Sequence, residues 1–297
     1  MRLLSVLRDS ARLPFLLLSV ACLLLGLATV VATGITPDPT VLLQVLAGGL
    51  CAHISVNMLN EYADFRSGLD ATTRRTPFSG GSGALPAHPG GARAVLLGGL
   101  LALGVTLAVG VSLLRLRGGW LWPIGLAGVG LVALYTPWIT RRALLSLLAP
   151  GLGVGPLMVV GTHVALGGQH PGMAWLASWA PGCLASALLL LNQFPDREAD
   201  RAVGRRNLVI VLGRPAAAHW VLGLHALAGA GLGLTVLLGG LPPACLWGLL
   251  PLLLSLPMAR ELLQHADTPA RLLPAMALNV VAALATPTGM ALALLLA

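Results

Sequence analysis

The stretch NEYADFRSGLD places Asn60, Glu61, Asp64 and Asp70 at the end of an apolar run, and a later stretch, NQFPDREAD, does the same with Asn192, Asp196 and Asp200. On a helix of 3.6-residue period, Asn57, Asn60, Glu61 and Asp64 share one face, and Asn192, Asp196 and Asp200, spaced by four, share another. Gly68 would end the first helix and allow Asp70 to return toward the same place, while Pro195 would kink the second or start it anew. Asn57 and Asn60 lie well inside apolar sequence, where an unpaired amide costs on the order of 1–3 kcal/mol, so they should face an interior rather than lipid. Two facing carboxylate clusters repel unless something positive lies between them. Hard divalent cations such as Mg²⁺ take oxygen ligands, often one or two carboxylates together with substrate phosphates. The pattern thus points to a phosphate bound through Mg²⁺, with arginines donating to its oxygens. Two other readings stand beside it: acids that merely balance nearby arginines, and a pathway for cations or protons.

Several arginines are candidates for the anion. Arg74 and Arg75 precede the Gly- and Ser-rich loop TPFSGGSGALP, Arg141 and Arg142 follow YTPW, and Arg205 and Arg206 follow Gly204. Their alternative role is to anchor spans on lipid headgroups. Tyr135 could line a pocket for an aromatic substrate or, like Trp120, Trp122 and Trp138, belong to an interfacial belt. His53, one turn above Asn57, could reach a cavity or make an interhelical hydrogen bond. His163 and His170 form no metal-ligand set, and Cys22, Cys51, Cys183 and Cys245 read as small core residues without ligand or disulfide spacing.

What must position these residues is a membrane bundle. Of 297 residues, 57% are hydrophobic and 9% charged, with a mean hydropathy of +0.87. Apolar stretches of roughly 20 residues, the length a bilayer requires, recur at 12–33, 41–62, 94–114, 119–137, 143–167, 172–194, 219–240, 242–258 and 272–296. The expected fold is therefore all-α and polytopic, with about nine transmembrane helices in a single domain, 1–297. A division into 1–142 and 143–297 would give each half one acidic stretch. The first span is too long, and followed by too many others, for a cleaved signal peptide. All 18 basic residues are arginines, and alternation across nine spans puts every one except Arg115 and Arg117 on the side of the N-terminus. That bias assigns the N-terminus and both acidic stretches to the cytoplasm and the C-terminus to the other side of the cell membrane. Nine of the ten acids join them, Asp38 being the exception. The net charge of +8 is accounted for by orientation and contact with membrane lipids, so no nucleic-acid partner is expected.

The two stretches together resemble the paired motifs of the UbiA family of intramembrane prenyltransferases. NEYADFRSGLD is most similar to its 1,4-dihydroxy-2-naphthoate polyprenyltransferase branch, with Glu61 in place of the first Asp and Gly68 then Asp70 at the end. NQFPDREADRAVGRRNL follows the family's second motif at Asn192, Asp196, Asp200, Gly204 and Leu208, with Gln193, Pro195, Arg205 and Asn207 as departures. YTP and GPLMVVGT, Gly155 to Thr162, also look like this branch. The resemblance covers essentially the whole chain. It implies a ring of helices around a central cavity, a cytoplasmic cap from the loops after spans 2 and 6, and transfer of a polyprenyl group from its diphosphate to an aromatic acceptor in menaquinone biosynthesis. By the same resemblance Asn60, Glu61, Asp64, Asp70, Asp196 and Asp200 would hold Mg²⁺, and Asn60, Asp64, Asp196 and Asp200 would support catalysis. Asn57, Asn192, Arg74, Arg75, Arg141, Arg142, Arg205 and Tyr135 are the expected substrate contacts. Alternatives are another aromatic or lipid acceptor and, in a different class, a cation-coupled transporter.

Overall fold

The helix that carries the first acidic stretch begins at Asp38, whose side chain accepts hydrogen bonds from the backbone N–H groups of Thr40 (2.7 Å) and Val41 (3.2 Å). Pro39 fits its first turn, where no intrahelical donor is needed, and Gly68 closes it in the left-handed conformation (φ 78°). The structure, a computed structural model, describes residues 2–119 and 121–296. Trp120, one of the expected belt residues, lies outside them.

The chain runs through α1 (Arg2–Ser10), α2 (Leu16–Val31), α3 (Pro39–Ser67), α4 (Leu69–Thr72), α5 (Ala84–Ala87), α6 (Ala92–Arg117) and α7 (Leu121–Leu134). It continues through α8 (Ala143–Leu152), α9 (Met158–Ala165), α10 (Gly172–Ala202), α11 (Leu208–Leu212), α12 (Arg214–Leu237), α13 (Ser255–His265) and α14 (Leu273–Leu296), with no strand among the described residues. Among the described residues, eight helical stretches have the length and hydropathy to cross a bilayer, so this is a multi-pass membrane protein. The remaining expected span, 119–137, is represented by the shorter apolar helix α7, 14 residues long and about 21 Å at the helical rise. The chain still returns along it, since Leu121 is buried in the bundle core and Thr136, just past its end, contacts Asn60.

Helices α2 and α10 are the most enclosed: their apolar windows are 61% and 67% buried, against 17% for α6, which presents most of its surface outward. α2 packs on α9 and α14, α10 on α8, α12 and α14, and α3 on α6. The approach of the α8–α9 segment to α10 depends on glycine, because a Cβ on Gly155 would stand 2.7 Å from the Cα of Gly182. The expected span 143–167 is not one regular helix; Pro150 lies near the end of α8 and Pro156 within a π-turn, Gly153–Leu157, that joins it to α9. In contrast α10 runs unbroken through Pro195, so Asn192, Asp196 and Asp200 stay on one helix. The loop 73–83, α4, α5 and the α10–α11 connection cap the end of the bundle where both acidic stretches emerge.

Candidate active site

Beneath the cap, α2, α3, α6, α7, α8, α9 and α10 surround a cavity of about 580 Å³. Its deeper walls are apolar, among them Val45, Val109, Leu113, Ile124 and Leu157, with Gly110, Gly125 and Gly128 between them. The charged groups lie at the cap end, where Asn57, Asn60, Asp64, Asp70, Asn192, Asp196, Asp200, Arg205 and Tyr135 all line it.

Arg205 joins the two acidic stretches. Its Nη1 donates to Asp200 Oδ1 (3.0 Å) on α10 and its Nη2 to Asp64 Oδ1 on α3. Burial alone would lower the pKa of this guanidinium, but Asp64 and Asp200 together hold it above its ordinary value, so it is a fixed cation. Asn207 caps α11, accepting from the Ile210 N–H (3.0 Å), and donates its own amide to Asp200 Oδ2 (2.9 Å). Asn60 adopts the amide orientation that pairs donors with acceptors: it donates to Asp64 Oδ2 (3.2 Å) and accepts from Thr136 Oγ1 (3.1 Å) and Arg205 Nη2 (3.2 Å). Asn57 donates to the Ala11 carbonyl (3.0 Å), tying α3 to the N-terminal segment.

Three oxygens in this shell are left over. Asp196 Oδ2 accepts from the Gly80 N–H of the cap loop (3.0 Å), while its Oδ1 is buried without a partner. Asp70 Oδ2 and Asn192 Oδ1 are likewise buried and unpaired. Burial, reinforced by the charges of Glu61 and Asp64, pushes the Asp70 carboxyl up to about 7. Among the described residues, four carboxylates line the cavity with two guanidiniums, Arg12 and Arg205, and Arg12 is already engaged by Glu61. The deficit of positive charge and the unpaired hard oxygens fit a divalent cation such as Mg²⁺. Among the described residues no three Asp, Glu, His or Cys side chains gather into a ready-made ligand cluster; Mg²⁺ commonly binds through one or two carboxylates and keeps waters or phosphate oxygens as its other ligands.

Other expected contacts fall elsewhere. Glu61 is fully buried and does not line the cavity; its Oε2 accepts from Arg12 Nη2 (2.9 Å) and the Ser82 N–H (3.1 Å), and its Oε1 from Ser82 Oγ. The longer arm that distinguishes Glu from Asp thus holds the cap loop. Arg75 donates to the Ser82 carbonyl (3.2 Å), Arg142 lies over the Trp138 ring (3.8 Å to its centroid), and Arg74 and Arg141 are exposed. None of these four lines the cavity. His53 does line it, and also bonds Ser19 Oγ through Nδ1 (2.6 Å).

Arg12 was read from sequence only as an orienting charge. It lines the cavity with a positive φ of 51°, a conformation that costs a non-glycine residue roughly 1–3 kcal/mol and is held here by Glu61. The one local signal was a charge directly before LPF, at the start of an apolar span.

A model described as the UbiA prenyltransferase family matches residues 19–281, so the chain belongs to that family. It is 29% identical over 193 residues to 1,4-dihydroxy-2-naphthoate octaprenyltransferase of Bacillus subtilis (strain 168). That match covers 64% of this chain and spans 61%, less than two thirds, of the relative's length. A solved structure of digeranylgeranylglyceryl phosphate synthase superimposes with a TM-score of 0.66 at 14% identity, covering 100% of both chains. A UbiA homologue from Archaeoglobus fulgidus bound to GPP and Mg²⁺ gives 0.62 at 15%, again covering 100% of both. Both share this chain's fold.

Proposed function

We propose, from the premise that the chain belongs to the UbiA prenyltransferase family, that it transfers a polyprenyl group from polyprenyl diphosphate to 1,4-dihydroxy-2-naphthoate in menaquinone biosynthesis. The observation that carries this reading is the carboxylate shell, bridged by Arg205, seated over an apolar cavity of about 580 Å³. A hydrocarbon tail is driven into the apolar walls, leaving the diphosphate head at the cap end beside Arg12 and Arg205. Mg²⁺ would be held by the free oxygens of Asp70, Asp196 and Asn192 with Asp64 nearby, and would supply positive charge against the charge that grows on the departing diphosphate.

Asp64 and Asp200 fix the Arg205 guanidinium in place before substrate arrives, so its remaining donors need no reorganisation as charge develops. The allylic carbon–oxygen bond breaks with its electron pair going to diphosphate, and an electron-rich carbon of the acceptor ring attacks the allylic cation. Tyr135 and Asn57, both on the wall at the cap end, position that ring. Loss of the acceptor's carboxylate as carbon dioxide accompanies prenylation and returns an electron pair to the ring. The apolar walls and the cap loop keep out water that would otherwise capture the cation.

The test is to offer purified protein isoprenyl diphosphates, Mg²⁺ and a panel of aromatic acceptors, and to read products by mass spectrometry. Mg²⁺-dependent diphosphate release with a prenylated, decarboxylated naphthalenediol is expected. Cation-coupled transport in vesicles without diphosphate release would overturn the reading, and prenylation of a benzoquinone precursor or glycerol-type lipid alone would replace the acceptor. The arginine asymmetry supports a cytoplasmic cap and N-terminus in the cell membrane, with the C-terminus opposite. An impermeant thiol reagent should then label Ala87→Cys, an exposed cap position, from the cytoplasmic side; labelling only from the other side would reverse the orientation.

A further inference from the structure

A second cavity, of about 520 Å³, lies between the N-terminal segment and the cap loop. It adjoins the first: Arg12, Pro14, Phe15, Pro77, Phe78 and Ser79 line both. Its outer wall carries Arg8, whose side chain is 66% exposed, and Asp9, paired with it at 2.9 Å. The chemistry of this space differs from that of the deep cavity. Phe15, Phe78, Pro14 and Pro77 line it, with a guanidinium at its mouth and another at its junction with the catalytic space.

We propose that this second cavity is the access vestibule for the aromatic acid acceptor, separate from the apolar space that takes the prenyl tail. A planar ring can pack against Phe15 and Phe78 while its single carboxylate passes from Arg8 to Arg12. Each arginine spends donors on one carboxylate, Arg8 on Asp9 and Arg12 on Glu61, and a guanidinium with five N–H groups keeps others for a passing anion. Inorganic diphosphate suits the space less, because Asp9 and Glu61 repel a multiply charged anion more than a monoanion and the aromatic walls give it nothing. Arg8 is a steering and positioning residue in this scheme, not a catalytic one.

The vestibule rests on the reaction proposed above only for the identity of the aromatic acid. The test uses the full chain in lipid nanodiscs and the fluorescence of 1-hydroxy-2-naphthoate as a binding signal, with neutral 1-naphthol as control. Arg8→Glu should weaken binding of the acid by about tenfold at low salt and less at high salt, with 1-naphthol changed by less than about twofold. In turnover the same variant should raise KM for the acid and leave kcat and the KM for geranyl diphosphate at wild-type values. Leu13→Cys, at an exposed wall position, carrying a bulky maleimide should slow association of the acid while geranyl diphosphate still binds. Wild-type affinity and association rate for the acid in both variants would overturn the proposal. If the wild-type protein forms no prenylated product but binds the acid through Arg8, the vestibule stands and the reaction falls.

Discussion

Both oxygens of Glu61 are occupied by Arg12 and Ser82, whereas Asp196 presents an unpaired Oδ1 on the cavity wall. Glu61→Gln should therefore loosen the cap, destabilising the fold by about 3 kcal/mol as a buried pair is broken, with the Mg²⁺ requirement unchanged. Thermal unfolding and a Mg²⁺ titration of activity check the two halves. Asp196→Asn should do the reverse, keeping the unfolding midpoint but cutting turnover by more than about tenfold and raising half-saturating Mg²⁺. An unaltered Mg²⁺ titration in Asp196→Asn removes that residue from the ligand set. Asp70 makes a prediction in pH. Its carboxyl is harder to ionise in the folded protein, at about 7 against 3.8, so ionisation works against folding as pH rises across that interval. In metal-free buffer Asp70→Asn should raise the unfolding midpoint at pH 7.5 more than at pH 5; an equal shift at both would show that the carboxyl does not titrate there.

At the scale of elements, the two acidic stretches are held by helices of different construction. α3 is bounded by an Asp38 cap and a left-handed Gly68, both legible from residue types, and its Asn57–Asn60–Asp64 face follows from the helical period. α10 carries Pro195 in its interior without a break, which the residue types alone left open, since a buried bundle helix can tolerate the lost hydrogen bond. Its position is set by the contact of Gly155 with Gly182, across which no side chain fits. Gly155→Val should push the π-turn away from α10, costing about 1–3 kcal/mol in stability and reducing turnover by displacing Asp196 and Asp200. Wild-type unfolding and turnover in that variant would show that the bundle accommodates the branch.

At the scale of the molecule, the cavity extends from the acidic cap to Leu113 and Leu121 in the core of the bundle, and glycines line part of the way. A Cβ on Gly128 would meet nothing within 4 Å, so the space beside it is open for a prenyl tail. Gly128→Leu should leave transfer from geranyl diphosphate near wild type while lowering kcat/KM for longer prenyl diphosphates, measured by competition between donors. Equal losses for short and long donors would mean that the tail runs elsewhere.

The sequence by itself determined the membrane class, the positions of most spans and the two acidic stretches, because each follows from local composition and period. It also marked Arg205 as one candidate anion ligand among several, from its position after Gly204. Only the tertiary structure decided that Arg205 stands between Asp64 and Asp200, that Glu61 is consumed by Arg12 and the cap loop, and that Arg74, Arg75, Arg141 and Arg142 stay off the cavity wall. The physical reason is reach across the chain: a side chain's partner can come from residues far away in sequence, as Glu61 from Arg12 and Asp64 from Arg205, and neither hydropathy nor helical period carries that pairing.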